Sequence, residues 1–229
     1  MARARPIPLL APVIKIFFMK FISFEGIEGC GKSTQAKKLH EFFLSQKIDA
    51  ILTREPGGTI AGECLREILI DEKIPKLEAK TELFLNFAAR LEHVEKLIKP
   101  ALRSQKIVIS DRFFDSTYAY QGSAFGLDEK LIDEVRKNTI GDFAPDITFL
   151  IDLPVEAAFA RIGDRKENNR YEKLSLDFHQ KTRDGFLNLT KKNPRIQLLD
   201  GKKNPQEIFT EIVQILTSLN LNLKIYEKT

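Results

Sequence analysis

Gly26-Ile27-Glu28-Gly29-Cys30-Gly31-Lys32-Ser33, followed by Thr34, is the stretch on which the fold of this chain turns. It has the spacing G-x-x-x-x-G-K-[ST]. An apolar run, Lys20 to Phe24, precedes it, and a segment with Ala36, Leu39, Phe42 and Phe43 at helical spacing follows. A strand that enters a helix through a glycine-rich turn makes an anion cradle. The glycines let backbone N–H groups wrap phosphates, and the helix N-terminus adds a favourable dipole. Lys32 would bring positive charge to β- and γ-phosphates. Ser33 would offer its hydroxyl to Mg²⁺, an ion that takes oxygen ligands and keeps several waters. Gly26 to Thr34 is therefore expected to hold a nucleoside triphosphate and its metal ion.

Outward from this stretch, short β-branched apolar runs alternate with longer helical patterns, the signature of a parallel sheet. The runs Lys20 to Phe24, Ala50 to Thr53, Ile107 to Ser110, Ile147 to Ile151 and Ile196 to Leu199 predict five strands. The expected architecture is α/β: a three-layer α/β/α P-loop NTPase fold with a five-stranded parallel sheet and a small mobile lid. A long helix is predicted over Glu78 to Arg103. Pro100 and Pro154 are read as boundaries, the latter opening the helix after the fourth strand. In such sheets ligands sit beyond the carboxyl ends of the strands, so motifs at those ends carry the function.

The 229 residues fit one domain, and 43% hydrophobic with 30% charged residues is the composition of a soluble globular enzyme of cytoplasmic type. Lys and Arg total 36 against 32 Asp and Glu, a net charge of +4. The basic residues are interspersed with acidic ones, so no nucleic-acid partner is expected. Two cysteines, Cys30 and Cys64, cannot make a disulfide framework or a zinc site. His40, His93 and His179 sit in unrelated segments and are read as structural or surface residues. Residues 1–18 have an apolar run broken by Pro6, Pro8, Pro12 and Lys15, too short for the ~20 residues of a membrane span. They are expected to be an extension outside the fold, with a single P-loop domain over 19–229 and no membrane partner.

A regulatory GTPase uses the same cradle, but this chain has no N-K-x-D for guanine and no D-x-x-G after the third strand. It has Ile109-Ser110-Asp111-Arg112 there. Asp111, at the end of an apolar strand, stands where a carboxylate can reach Mg²⁺, and Arg112 is expected to face the same cleft.

Asp111-Arg112-Phe113-Phe114-Asp115-Ser116-Thr117-Tyr118-Ala119-Tyr120-Gln121-Gly122 resembles the thymidylate kinase signature D-R-Y/H-x-x-S-x-x-A-Y-Q-G. Thr53-Arg54-Glu55-Pro56-Gly57-Gly58-Thr59, with Gly62-Glu63 and Arg66, is similar to that family's second-strand segment. The resemblance runs from about Met19 to Leu216 and implies ATP-dependent phosphorylation of dTMP, with Mg²⁺, by a protein that is typically a homodimer. Another nucleoside monophosphate kinase on the same scaffold is the alternative.

The resemblance also implies roles. Glu28 would meet the sugar 3′-hydroxyl, and Arg66 and Arg112, with Arg54 and Pro56 nearby, would hold the acceptor phosphate. Guanidinium groups suit this because two polyanionic phosphates repel each other, and Arg offers fixed bidentate geometry. Ser116, Thr117 and Gln121 would line the base, Tyr120 would crowd the sugar 2′ position, and Arg90 would hydrogen-bond the base. Phe113 and Tyr118 are read as packing residues. The family's base-stacking phenylalanine falls four residues before that arginine, where this chain has Asn86; Phe87 lies one position on and could stack instead. The family also divides by whether a catalytic arginine sits in the P-loop or in the lid. Gly29 occupies the P-loop position, so the lid must supply it, from Arg161, Arg165 or Arg170. Gly163 and the polar run Asp164 to Asn169 suit a mobile loop.

Overall fold

The computed structural model describes residues 20–163, 170–171 and 174–219. The expected extension 1–18, the polar run Asp164 to Asn169 and Arg165 lie outside the described residues. Strands β1 (Phe21–Glu25), β2 (Ala50–Arg54), β3 (Ile107–Asp111), β4 (Ile147–Asp152) and β5 (Ile196–Asp200) form one sheet in the order β2-β3-β1-β4-β5. Every pairing is parallel, with Phe24 beside Asp111 on one side and Phe149 on the other. All of β1 is buried, which requires cover on both faces and explains why the central strands read as near-continuous apolar runs. The edge strands β2 and β5 are only partly buried.

Each strand begins within a residue of its expected start, and each runs one residue past its apolar run, to Glu25, Arg54, Asp111, Asp152 or Asp200. Pairing carries the ladder on to a charged residue at every carboxyl end. The sheet thus sets a row of ionisable side chains along the edge where ligands bind in this architecture.

Helix α1 (Lys32–Ser45) lies over β1, β2 and β3 and packs on α9 (Pro205–Ser218), while α8 (Leu176–Lys192) packs against β4 and β5. The aromatic core includes Phe21 edge-on to Phe113 at 5.0 Å and stacked with Phe143 at 5.5 Å. The polar pair in the middle of the sheet is mutually satisfied: the Ser23 and Thr148 hydroxyls lie 2.7 Å apart.

The long helix expected over Glu78 to Arg103 is present, with one departure, at Pro100. Helix α2 (Ile60–Ile70) is followed by α3 (Ala79–His93), which passes through a π-helical turn at Val94–Ile98 into α4 (Lys99–Arg103). Pro100, expected to mark a boundary, therefore lies inside a continuing helix. Proline has no N–H for the carbonyl four residues back, and a widened turn beside it carries the chain on without a break. Pro154 acts as expected, as the residue that caps α7 (Val155–Ile162). The second π-helical stretch, Tyr118–Ala124, extends α5 (Phe114–Thr117) and precedes α6 (Glu129–Thr139).

Candidate active site

The cradle begins with backbone geometry. Gly26, Gly29 and Gly31 have φ of +136°, +76° and +104°, the left-handed region that side chains disfavour. At Gly29 space forbids a side chain as well: a Cβ would overlap the Ala158 carbonyl oxygen and approach Ile162 Cγ1 to 2.9 Å. Gly31 caps α1 without a side-chain hydrogen bond, so the helix keeps open N–H groups at the loop. Ile27 and Cys30 bury their side chains in the core, and Thr34 is exposed at the first turn. Lys32 Nζ donates to the Ile27 carbonyl at 2.7 Å across the loop. The Ser33 hydroxyl donates to Asp111 Oδ2, so the two oxygens expected to serve a metal ion are brought together from α1 and β3.

Arg112 joins this cradle to the neighbouring cavity. Its backbone has φ +74°, a strained conformation for a non-glycine residue that costs on the order of 1–3 kcal/mol and persists where surroundings enforce it. What enforces it is a set of bonds. The Arg112 N–H donates to the Phe24 carbonyl at 2.9 Å. Its guanidinium donates to the Gly26 carbonyl and the Ser116 hydroxyl at 3.0 Å each, and to Glu28 Oε1 at 2.9 Å. A further bond reaches the Tyr120 hydroxyl at 3.0 Å. Tyr120 in turn donates to Glu28 at 2.7 Å. Burial alone would push the Glu28 carboxyl up. The Arg112 guanidinium outweighs it, helped by His179, Lys32 and Tyr120, and holds Glu28 well below the usual carboxylate range. Beneath them Glu25 accepts from the Phe113 N–H at 2.7 Å and the Ser116 hydroxyl at 2.6 Å. Burial, reinforced by the Asp115 carboxylate, pushes Glu25 up to about 8 against the pull of Arg112.

One cavity is lined by Pro56, Arg66, Asn86, Arg112, Ser116, Thr117, Tyr120 and Gln121, together with Glu55, Ile70 and Tyr171. An adjoining open cleft is lined by Ser33, Lys37, Thr53, Arg54, Glu63 and Asp111 among others. Arg54 is ion-paired with Glu63 at 2.9 Å, and Arg66 donates to the Pro56 carbonyl at 3.0 Å. Burial, then repulsion from Arg54 and Arg112, lowers Arg66. Cations that repel one another at a cavity wall are the chemistry of an anion site.

Two expected base contacts are placed differently. Phe87 is 1% exposed, and its ring centroid lies 4.7 Å from the Arg90 guanidinium carbon. One residue on a helix turns the side chain by about 100°, so Asn86 faces the cavity and Phe87 faces the core. Arg90 stands one layer back. Only 3% exposed, it donates from Nε to Glu55 Oε2 at 2.7 Å and from Nη1 to the Thr117 hydroxyl at 3.1 Å. Both of these partners line the cavity. Asn86 Nδ2 donates to the Glu82 carbonyl at 2.8 Å, within its own helix.

Of the arginines expected to serve from a lid, Arg161 is tied to the Gly201 carbonyl at 2.9 Å, and Arg170 pairs with the buried carboxylate of Glu82. Glu55 and Tyr171, to which the sequence reading gave no role, line the cavity, and Glu82 stands behind it, while His93 and His179, read as structural or surface residues, are buried beside these groups. His93, fully buried, lies 3.0 Å from Glu55 Oε1 through Nδ1 and 2.7 Å from the Thr53 hydroxyl through Nε2. His179, also fully buried, has Nδ1 3.6 Å from Glu28 Oε2. The place of Glu55 inside Arg54-Glu55-Pro56 was a usable signal; the histidines carried none.

The chain is similar to known proteins over most of its length. The family profile described as thymidylate kinase matches residues 24–212. A thymidylate kinase of Carboxydothermus hydrogenoformans is 43% identical over 201 residues, covering 88% of this chain and 98% of that protein. One from Marinomonas sp. is 41% identical over 202 residues, covering 88% and 95%. The crystal structure of a thymidylate kinase from Ehrlichia chaffeensis superposes with a TM-score of 0.70 at 39% identity, covering 86% of this chain and 97% of that one.

Proposed function

Because the chain belongs to the thymidylate kinase family, and so phosphorylates dTMP to dTDP with ATP as donor, we propose that the transfer takes place where Arg112 joins the cradle to the Arg66 cavity. The observation that carries this reading is the position of Arg112, bonded at once to Gly26 and Glu28 of the cradle and to Ser116 and Tyr120 of the cavity. The ATP phosphates lie along Gly26 to Thr34 with Lys32 on the β- and γ-groups. The dTMP phosphate lies between Arg66 and Arg112, whose charge offsets the repulsion of two anions. Attack is direct and in line. The nucleophile is already an oxyanion, so no general base takes part and the side chains contribute position and charge. Glu28, held ionised by Arg112, accepts from the sugar 3′-hydroxyl, and Tyr120 fills the space a 2′-hydroxyl would need. Ser33 and Asp111 are hard oxygen donors already in contact and fit Mg²⁺, which when bound neutralises charge on the phosphates.

The expected outcome of a steady-state panel of dTMP, dUMP, AMP, GMP and CMP is the highest kcat/KM on dTMP; preference for AMP or GMP would overturn the reading. Asn86→Phe places a ring face where the family has one. It is expected to lower the dTMP KM about 2- to 10-fold, the worth of one aromatic contact.

A homodimer is supported by the faces of α2 and α3, which pack together and leave Ile60 90%, Phe84 55% and Ile68 40% exposed. Sedimentation equilibrium is expected to give twice the 26.2 kDa chain mass, falling to the chain mass in Phe84→Glu. No helix among the described residues is long and apolar enough to cross a membrane. Two free cysteines favour a cytoplasmic location, and the kinase domain is taken to begin near Met19.

A further inference from the structure

Glu82 belongs to none of the motifs, yet three donors from two distant segments converge on its carboxylate. It stands in the first turn of α3 and is 1% exposed. Oε2 accepts from Gln121 Nε2 at 2.9 Å and from the Tyr171 hydroxyl at 2.8 Å, and Arg170 pairs with Oε1. Gln121, 3% exposed, and Tyr171 both line the cavity assigned to dTMP. A carboxylate paired with an arginine offers lone pairs only. Gln121 can therefore turn just one edge of its carboxamide to Glu82, the NH₂ edge, and the planar amide must point its carbonyl oxygen elsewhere.

We propose that Glu82 is a specificity-determining positioning residue, which locks the Gln121 carboxamide so that its carbonyl oxygen reads the edge of the base. Thymine carries an N3–H donor between two carbonyls, whereas cytosine carries an unprotonated N3. A fixed acceptor bonds the first and opposes the lone pair of the second; an amide free to flip would serve both. Tyr171, which shares Oε2 with Gln121, and Arg170, on Oε1, complete the lock by holding Glu82 in place. The proposal rests on the reading that the base of dTMP occupies this cavity.

The measurement is the ratio of kcat/KM on dTMP to that on dCMP. Glu82→Gln keeps the shape but offers an NH₂ group of its own, so Gln121 can turn over. The ratio is expected to fall about tenfold or more, the effect of one hydrogen bond left unmade, with kcat on dTMP within about threefold of wild type. In a Gln121→Leu background, Glu82→Gln is expected to leave the ratio unchanged, because the group it acts through is gone. An unchanged ratio in the single variant overturns the proposal, and so does an equal fall in both backgrounds. Should Glu82→Gln fail to fold by circular dichroism, Glu82→Asp withdraws the carboxylate by one methylene. It is expected to lower the ratio about threefold, and no change there is equally decisive. A Gln121→Leu single variant that keeps the wild-type ratio would instead refute the placement of the base.

Discussion

Arg165→Ala is expected to lower kcat by about 10³-fold or more, the scale on which an arginine that neutralises transition-state charge acts in phosphoryl transfer, while dTMP affinity stays within about threefold. The position itself lies outside the described residues, and the expectation comes from the company it keeps. Of the three arginines placed at family positions, Arg161 is held by the Gly201 carbonyl and Arg170 by Glu82. The P-loop offers no substitute, since Gly29 has no room for a side chain. Single-turnover kinetics with saturating ATP and dTMP, beside an equilibrium titration with dTMP, separates chemistry from binding. An undiminished kcat would pass the role to Arg161 or Arg170.

Arg112→Ala is expected to act on both binding and folding. The guanidinium is shared among Gly26, Glu28, Ser116 and Tyr120, and the side chains of Arg112 and Glu28 are 16% and 12% exposed. Breaking one side of a buried ion pair costs about 3–5 kcal/mol because the other charge is left uncompensated. The KM for dTMP should rise about 10²-fold or more with the KM for ATP little altered. Arg112→Lys should recover little of it, since one ammonium cannot serve four acceptors arranged around a planar fork. The stability deficit has a pH signature. The folded-state Glu28 carboxyl is depressed below its ordinary 4.5, so its pairing stabilises the fold fully above that value and less as pH falls below it. Urea unfolding at pH 7 and pH 4 should show a larger wild-type-to-variant gap at pH 7, and a gap independent of pH would show that the Arg112–Glu28 pair is not its source.

What could be read from the sequence were features with local physical causes. A parallel strand buried on both faces is apolar along most of its length, so Ile107 to Ser110 and Ile147 to Ile151 announced themselves. The P-loop was legible because phosphate binding needs glycines and a lysine at fixed spacing. Strand ends were misjudged by one residue each, since a rule based on apolar runs stops at a charge, whereas the ladder continues to Glu25 and Asp111. Phe87 was misread because proximity in sequence to the stacking position does not survive a helical turn. The rest depended on encounters between distant segments. Glu82 meets Gln121 across 39 residues, and His93 meets Glu55 across 38. No spacing in the chain announces such partners, as only the folded chain brings these helical segments and loops together.

The crowding at Gly29 bears on how enzymes of this kind can change over time. Within the family, the assisting arginine is found either in the P-loop or in the lid, and the two look interchangeable on paper. Here a Gly29→Arg change would drive the new side chain into the Ala158 carbonyl and Ile162 of α7 while demanding a left-handed backbone of an L residue. The exchange is closed to a single step. A lineage would have to shift α7 first, with no benefit in hand, then acquire the loop arginine, and only afterwards release the lid residue. The position of one helix thus fixes the order in which substitutions can be tolerated, and the placement of the arginine becomes an inherited commitment.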